Sequence, residues 1–178
     1  MQVDTDLTQR LQAIRAIALD VDGVLTDGKL YFDAEGRELK AFNSRDGHGI
    51  KLAQAAGIEV TIISGRRSAA VEARAHNLGI RHCILGCHTK GEAIEELANT
   101  LNLPLCAFAV MGDDIIDLPM LRRAGLAATV ADAPEVVKAH AHWISEQAGG
   151  QAAVREFIEF LLKARGEWEQ VIAPYLND

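Results

Sequence analysis

Two aspartates one residue apart, in Asp20-Val21-Asp22-Gly23, are the side chains of this sequence best suited to chemistry. They follow the apolar run 14–19, which predicts a buried strand, and side chains two positions apart on an extended chain point the same way. Gly23 permits a sharp turn directly after them. Such a pair can supply a nucleophile and metal ligand from one carboxylate and a proton donor and acceptor from the other. The alternative is a polar strand-to-loop junction with two solvated acids.

The elements that must position this pair alternate along the chain. Buried strands are predicted over 14–19, 58–63, 81–85, 105–111 and 127–130, with helices over about 44–56, 68–77, 90–101, 116–123 and after Pro134. Alternation of this kind favours an α/β fold with a mainly parallel sheet and helices on both faces. Ligands of such sheets bind at the carboxyl ends of the strands. Asp20 and Asp22, Ser64, and Asp113 with Asp114 all follow strands, which favours chemistry over solvated acids.

Composition and charge limit the classes of protein to which this chain can belong. The chain has 178 residues, 49% of them hydrophobic and 24% charged, which predicts one soluble domain over 1–178. The formal net charge of −7 argues against binding to nucleic acid or to an anionic membrane. No apolar run approaches a membrane span, and residues 1–6 lack the basic and apolar regions of a signal peptide. With three cysteines, an odd number, the expected location is the reducing cytoplasm.

Two further segments flank the predicted sheet. Residues 29–42 contain two β-prone pieces around Asp33-Ala34-Glu35-Gly36, which indicates a small hairpin. A helix over about 151–164 is followed by Trp168, Val171, Ile172 and Tyr175 at helical spacing. We expect that apolar stripe to dock on the core or on a neighbouring subunit.

Four short motifs occur in order along the chain. They are Asp20-x-Asp22-Gly-x-Leu-Thr26, Ser64-Gly65-Arg66, Lys90, and Gly112-Asp113-Asp114-x-x-Asp117. Each is weak alone, but together they resemble the signature of the haloacid dehalogenase superfamily of aspartate-nucleophile phosphotransferases. The resemblance covers about residues 14–130 and implies a Rossmann-like three-layer fold.

The resemblance also implies roles for these residues. Asp20 would attack phosphorus to form an aspartyl phosphate, and Asp22 would protonate the leaving alcohol and later deprotonate water. An aspartate in the second position is typical of the phosphatases of the superfamily. The Ser64 hydroxyl, the Gly65 N–H and the Lys90 ammonium would hold the phosphoryl oxygens. Lys90 alone has an alternative interpretation as a surface lysine at the start of a helix.

A metal ion is expected at the same place, because a carboxylate that attacks an anionic phosphate must overcome like-charge repulsion. A hard divalent cation, Mg²⁺, would offset that repulsion. The implied ligands are Asp20, the Asp22 backbone carbonyl and Asp113. Asp114 and Asp117 would support them from outside the ligand set, or act as acids at a helix N-terminus.

The spacing of the motifs leaves no room for a cap domain. Only the hairpin and one helix separate Asp20 from Ser64, and only one helix and one strand separate Ser64 from Lys90. An open site needs shielding, so we expect the hairpin at about 29–42 to act as a flap on a neighbour in a ring-like homo-oligomer.

The capless plan and three segments resemble one family, the 3-deoxy-D-manno-octulosonate 8-phosphate phosphatases, homotetramers of lipopolysaccharide biosynthesis. The segments are Thr26-Asp27-Gly28, Asn43-Ser44-Arg45-Asp46-Gly47-His48-Gly49-Ile50, and Gly149-Gly150-Gln151-Ala152-Ala153-Val154-Arg155-Glu156. The resemblance implies substrate contacts for Asn43, Ser44, Arg45, Asp46, Gly47, Lys51, Arg66, Arg74 and Lys90. Ala152 departs from the pattern, since the family usually has glycine there. The resemblance also implies that this glycine-containing segment and the tail at about 150–178 contact a neighbouring subunit.

Several alternatives stay open. Arg66 and Arg74 could share a face and grip a substrate carboxylate, although Arg74 alone also suits a solvated helix surface. His48 is either a surface residue or part of the substrate loop. His82-Cys83 and Cys87-His88 lack the spacing of a zinc site. At the level of function, the alternatives are a phosphatase for nine-carbon sialic-type 9-phosphates and a catalytically idle regulatory or assembly domain.

Overall fold

A six-stranded sheet forms the centre of the molecule, and every strand pair in it is parallel. The computed structural model describes residues 5–176; residues 1–4 and 177–178, which complete the predicted 1–178 domain, lie outside it. The strand order is β5-β4-β1-β6-β7-β8. The strands are β1 (Ala16–Leu19), β4 (Glu59–Ser64), β5 (His82–Leu85), β6 (Phe108–Met111), β7 (Leu126–Thr129) and β8 (Trp143–Ile144).

Helices cover both faces of this sheet. Helix α7 packs on both α1 and α2, α4 packs on α5, and β4 contacts both α2 and α4. The helices are α1 (Thr5–Ala13), α2 (Ser44–Ala55), α3 (Ala69–Leu78), α4 (Lys90–Leu101), α5 (Leu118–Leu121), α6 (Glu135–Lys138), α7 (Ala153–Arg165) and α8 (Trp168–Leu176). The predicted three-layer, Rossmann-like α/β fold is therefore confirmed.

Strand β1 lies between β4 and β6, and its register aligns the carboxyl ends of the three strands. Leu19 pairs with Ile62 on one side and with Met111 on the other. All four residues of β1 are fully buried and apolar, as expected for a central strand covered on both faces. The residues that follow β1, β4 and β6 consequently emerge at the same edge of the sheet.

Two of the predicted elements differ in detail, and one strand was not predicted. Residues Leu105–Ala107, predicted as strand, form a 3₁₀ turn after Pro104, and β6 begins only at Phe108. The helix predicted over 116–123 is a 3₁₀ turn, Ile115–Asp117, continued by α5. Strand β8 was not predicted, because a two-residue edge strand leaves no periodic pattern to detect.

The hairpin forms as predicted and no cap domain lies within residues 5–176. Strands β2 (Tyr31–Phe32) and β3 (Glu38–Leu39) pair antiparallel around a turn in which the Asp33 N–H donates to the Arg37 carbonyl oxygen at 3.0 Å. This hairpin and α2 are the only elements between β1 and β4. The pocket at the strand ends is therefore left without a domain over it.

The C-terminal stripe packs partly on the same chain. Trp168 and Val171 of α8 pack against the core, whereas Tyr175 is 62% exposed and meets the His48 ring edge-on at 5.3 Å. No helix among residues 5–176 combines the length and the apolar character that crossing a membrane requires.

Candidate active site

The ends of β1, β4 and β6 and the start of α4 line one pocket of about 220 Å³. Residues from each of the four predicted motifs line it. Its lining comprises Asp20, Asp22, Gly28, Ser64, Gly65, Arg66, Lys90, Asp113, Asp114 and Ile116. The structure thus brings together every residue predicted to be catalytic or to hold the metal.

Lys90 links Asp20 to a second carboxylate, that of Asp117. As the first residue of α4, it is 2% exposed, and its Nζ lies 2.9 Å from Asp20 Oδ1 and 2.5 Å from Asp117 Oδ1. Burial opposes the charge of this lysine, but Asp20 and Asp117 outweigh it and raise the pKa of Lys90. Lys90 is therefore a fixed cation, not a surface lysine.

Asp117, which is fully buried, holds the loop that carries Asp113. Its Oδ2 accepts hydrogen bonds from the N–H groups of Asp113 at 2.9 Å and Asp114 at 3.2 Å. Asp117 therefore orients both the lysine and the loop, which fits the supporting role implied by the resemblance.

The carboxylates at the floor of the pocket have the composition of a divalent cation site. Oxygens of Asp20, Asp113 and Asp117 all lie within 4.8 Å of one another, and Asp113 Oδ1 is buried with no hydrogen-bond partner. Burial, reinforced by the neighbouring carboxylates, raises the pKa of Asp20 to about 7 and that of Asp113 to about 8. A hard cation such as Mg²⁺ fits this site, because it would satisfy the unpaired oxygen and the excess negative charge.

Gly23 makes room for the carboxylate of Asp113. Its φ is +88°, and a Cβ placed on it would come within 2.0 Å of Asp113 Oδ2. A side chain at position 23 would therefore strain the turn and displace Asp113.

Asp22 belongs to a separate ionic cluster at the rim of the pocket. Its Oδ1 accepts a hydrogen bond from Lys40 Nζ, and its Oδ2 lies 3.8 Å from Arg66 Nε. Arg66 also pairs with Glu38 of the hairpin, 2.6 Å away. Sequence reasoning missed Lys40 and Glu38, because alternating charges on a short hairpin are typical of a solvated surface.

The whole chain resembles known phosphatases. Residues 87–158 match the model of the haloacid dehalogenase-like hydrolases. The chain is also 42% identical to KdsC of Escherichia coli K12, a 3-deoxy-D-manno-octulosonate 8-phosphate phosphatase, over 94% of this chain and 89% of that one. The chain belongs to the 3-deoxy-D-manno-octulosonate 8-phosphate phosphatase family.

Solved structures of phosphatases resemble this chain in both sequence and fold. A probable YrbI family phosphatase from Pseudomonas syringae is 46% identical, with a TM-score of 0.95 over 98% of this chain and 99% of that one. The family enzyme of Moraxella catarrhalis, solved with magnesium, phosphate and a KDO molecule, is 39% identical. Its TM-score is 0.92 over 94% of this chain and 97% of that one.

The segment 43–47, whose substrate role rests on the family resemblance, lies outside the 220 Å³ pocket. Asn43 caps α2 by accepting from the Arg45 N–H at 2.9 Å, and its amide donates to the Gly150 carbonyl oxygen at 3.1 Å. Ser44 and Arg45 are exposed, and Arg45 lines an open cavity beside Arg155. The first turn of α2 presents Ser44 and Arg45 outward, and the substrate contacts of this segment stay a prediction.

Asp46 and Gly47 of the same segment are buried. Asp46 Oδ1 accepts from the Arg155 N–H at 2.8 Å, at the start of α7, while its Oδ2 is buried without a partner. Burial raises the pKa of Asp46 to about 6 against the opposing hydrogen bonds from the backbone N–H groups of Arg155 and Val154. Gly47 packs under Arg74, whose guanidinium a Cβ at position 47 would meet at 2.1 Å.

Arg66 and Arg74, which could have shared a face according to the sequence, line different cavities. Arg66 precedes α3 and lines the active-site pocket, whereas Arg74 lies within α3, beside a small apolar cavity and 5.9 Å from the centre of the Phe42 ring. Lys51 lines neither cavity and donates to the Leu78 carbonyl oxygen at the end of α3, 2.7 Å away.

The glycine segment before α7 packs on the loop that follows β1 in its own chain. The Gly150 N–H donates to the Val24 carbonyl oxygen at 3.0 Å, and a Cβ on Gly149 would lie 1.9 Å from the Gly23 carbonyl oxygen. Ala152, where the family usually has glycine, adopts φ 74° and ψ 25°. The backbone therefore keeps the glycine conformation although the residue has changed.

Proposed function

We propose that this protein is a Mg²⁺-dependent phosphatase that hydrolyses 3-deoxy-D-manno-octulosonate 8-phosphate to the free sugar acid and phosphate. The observation that carries the proposal is the pocket in which Asp20 lies between buried Lys90 and the unpaired carboxylate of Asp113. The proposal is supported by the family to which the chain belongs.

Asp20 and Asp22 divide the reaction between them. An Asp20 oxygen forms a bond to phosphorus as the phosphorus–oxygen bond of the ester breaks, and the Asp22 carboxyl group gives its proton to the leaving oxygen. Asp22 then takes a proton from the water that attacks the aspartyl phosphate, which releases phosphate and restores Asp20. Lys90, already 2.9 Å from Asp20, reduces the repulsion between that carboxylate and the phosphoryl group.

Asp20, Asp113 and the backbone carbonyl of Asp22 would hold Mg²⁺. The ion supplies positive charge that offsets the repulsion between the nucleophile and an anionic phosphate. Asp117 keeps the Asp113 loop in place through its two backbone hydrogen bonds.

The phosphoryl and sugar-acid groups meet different parts of the pocket. Ser64 and Gly65, at the end of β4, offer a hydroxyl and an N–H to the phosphoryl oxygens. The partly exposed Arg66 offers a guanidinium for the substrate carboxylate. Residues 43–47, Lys51 and Arg74 would complete recognition of the sugar.

Phosphate release tests this function. With Mg²⁺, we expect turnover of the eight-carbon 8-phosphate to exceed that of a nine-carbon sugar-acid 9-phosphate, and we expect EDTA to abolish it. Asp20→Asn should remove activity, because an amide is not a nucleophile, while far-UV circular dichroism stays unchanged. A preference for the nine-carbon ester would reassign the substrate, and no release from any sugar phosphate would indicate an idle domain.

We also propose a cytoplasmic, single-domain homotetramer in which the hairpin and the C-terminal tail contact neighbouring subunits. The hairpin supports this proposal, because Leu30, Tyr31, Phe32 and Leu39 expose between 40% and 56% of their surface. Clustered apolar side chains on a small hairpin are typical of a surface that a partner covers. The free thiols of Cys83, Cys87 and Cys106 suit a reducing compartment.

A further inference from the structure

Lys40 is a buried cation that the hairpin brings to the active site. It directly follows β3, and its side chain is only 2% exposed. Its Nζ donates to Asp22 Oδ1 and lies 3.5 Å from Glu38 Oε1. Because burial of a lysine costs both hydration and side-chain entropy, its position depends on the carboxylates at its end.

Each of the two aspartates of the catalytic pair has a buried lysine of its own. Asp20 is held by Lys90 from the start of α4, and Asp22 is held by Lys40 from the hairpin. Arg66 is a weaker substitute for Lys40, because it lies 3.8 Å from Asp22 and is 45% exposed. Arg66 is also engaged with Glu38.

Asp22 needs such a partner because of its place in the chain. It lies in the loop after β1, where neighbouring strands do not constrain its side chain, and it is 20% exposed. A side chain of this kind can occupy several staggered rotamers. A proton donor, however, must be within hydrogen-bond reach of the leaving oxygen.

We infer that Lys40 is a positioning residue: its ammonium holds one oxygen of Asp22 and thereby directs the carboxyl group at the leaving oxygen of the ester. The inference rests on the proposed function. It also gives the hairpin a role within its own subunit, since the strand pair delivers the cation that orients the proton donor.

The leaving group provides the test. Alkyl phosphates need a proton on the leaving oxygen, whereas p-nitrophenyl phosphate releases a stabilised phenolate without one. The value of kcat/KM reports all steps up to cleavage of the ester. We would measure it for the sugar-acid 8-phosphate, for a sugar phosphate without a carboxylate such as ribose 5-phosphate, and for p-nitrophenyl phosphate.

Lys40→Met is expected to lower kcat/KM for both sugar phosphates by about 10- to 100-fold, because part of the rate enhancement from general acid catalysis is lost. The value of kcat/KM for p-nitrophenyl phosphate should stay nearly unchanged. Lys40→Arg, which keeps a cation, should recover part of the loss. A loss confined to the sugar-acid substrate would mean that Lys40 binds the carboxylate, and it would overturn the inference. An equal loss on all three substrates, or none, would also overturn it.

Lys29→Met is the matched control, since Lys29 lies in the same segment but is 73% exposed and pairs with Asp27 rather than with Asp22. The ratio of kcat/KM between two substrates, measured on one preparation, does not depend on the fraction of folded enzyme. Lys40→Gln gives a second neutral variant for the same ratio. Wild-type turnover of the two sugar phosphates tests the proposed function separately.

Discussion

Buried carboxylates in this molecule differ in what compensates their charge. Asp117 is fully buried and has Lys90 and two backbone N–H groups as partners. Asp46 is nearly as buried, but one of its oxygens has no partner. Burying an ionised group without full compensation is unfavourable, so Asp46 makes the fold sensitive to pH.

Asp46→Asn tests that sensitivity. Burial raises the pKa of Asp46 to about 6, so the folded state holds a proton that the unfolded chain loses near pH 4. This contribution to stability is complete below about pH 4 and is lost as the pH rises to about 6. Asparagine does not titrate. The free energy of unfolding of the variant, relative to wild type, should therefore rise by up to about 3 kcal/mol across this interval, as urea titrations at successive pH values would measure.

The control for Asp46→Asn is Glu96→Gln, on the exposed side of α4. It should leave the pH dependence of wild type unchanged. The prediction fails if the free energy of unfolding changes with pH in the same way for Asp46→Asn and for wild type between pH 4 and 6. Asp46 would then make no contribution to the pH dependence of stability.

Among the elements, α7 has the least usual start. Ala152, at its N-cap, has φ 74° and ψ 25°, and its side chain makes no capping hydrogen bond. A non-glycine residue in the left-handed region is strained because its Cβ crowds the backbone. Glycine, which the family usually has there, removes the crowding.

Ala152→Gly should therefore stabilise the fold, by about 1 kcal/mol, since relief of strain exceeds the extra entropy that glycine gives the unfolded chain. Ala73→Gly is the matched control, because Ala73 lies exposed within α3 and should lose about 1 kcal/mol on the same substitution. Chemical denaturation of both variants measures the difference. A loss of stability in both would show that position 152 carries no strain.

The elements were predictable from sequence because periodic apolar residues and turn residues mark most of their bounds. The apolar run before Asp20 and the β-branched run before Ser64 predicted β1 and β4, and their polar ends located the pocket. Long-range contacts left no comparable signal. The Asp46 hydrogen bond to the Arg155 N–H joins residues 109 positions apart, and Lys40 resembles any hairpin lysine until its side chain is seen to be buried.

In the whole molecule, the hairpin carries a cluster of exposed apolar side chains, at which the proposed tetramer contact would form. Its strands β2 and β3 form a separate two-stranded sheet, and Leu30, Tyr31, Phe32 and Leu39 expose between 40% and 56% of their surface. Because Phe32 is 56% exposed, a charge there costs this chain little by itself. In a tetramer that buries the hairpin, the same charge would be desolvated without a partner.

Phe32→Asp should therefore reduce the sedimenting species from a tetramer to smaller assemblies while the circular dichroism spectrum stays unchanged. Analytical ultracentrifugation measures the change. Val136→Asp, at a residue of α6 that is 46% exposed, places the same charge outside the hairpin and should leave the assembly intact. An unaltered mass for Phe32→Asp would remove the hairpin from the subunit contacts.

The packing of Gly149 and Gly150 on the loop after Asp22 also has a consequence for synthesis on the ribosome. The loop is among the first segments made, yet the backbone that closes on it is translated more than a hundred residues later. At roughly 5–20 residues per second, the nascent chain carries an unclosed Asp20–Asp22 loop for about ten seconds. Phosphatase activity would therefore begin only after nearly the whole chain has emerged, which makes it a sensitive reporter of completed translation and folding.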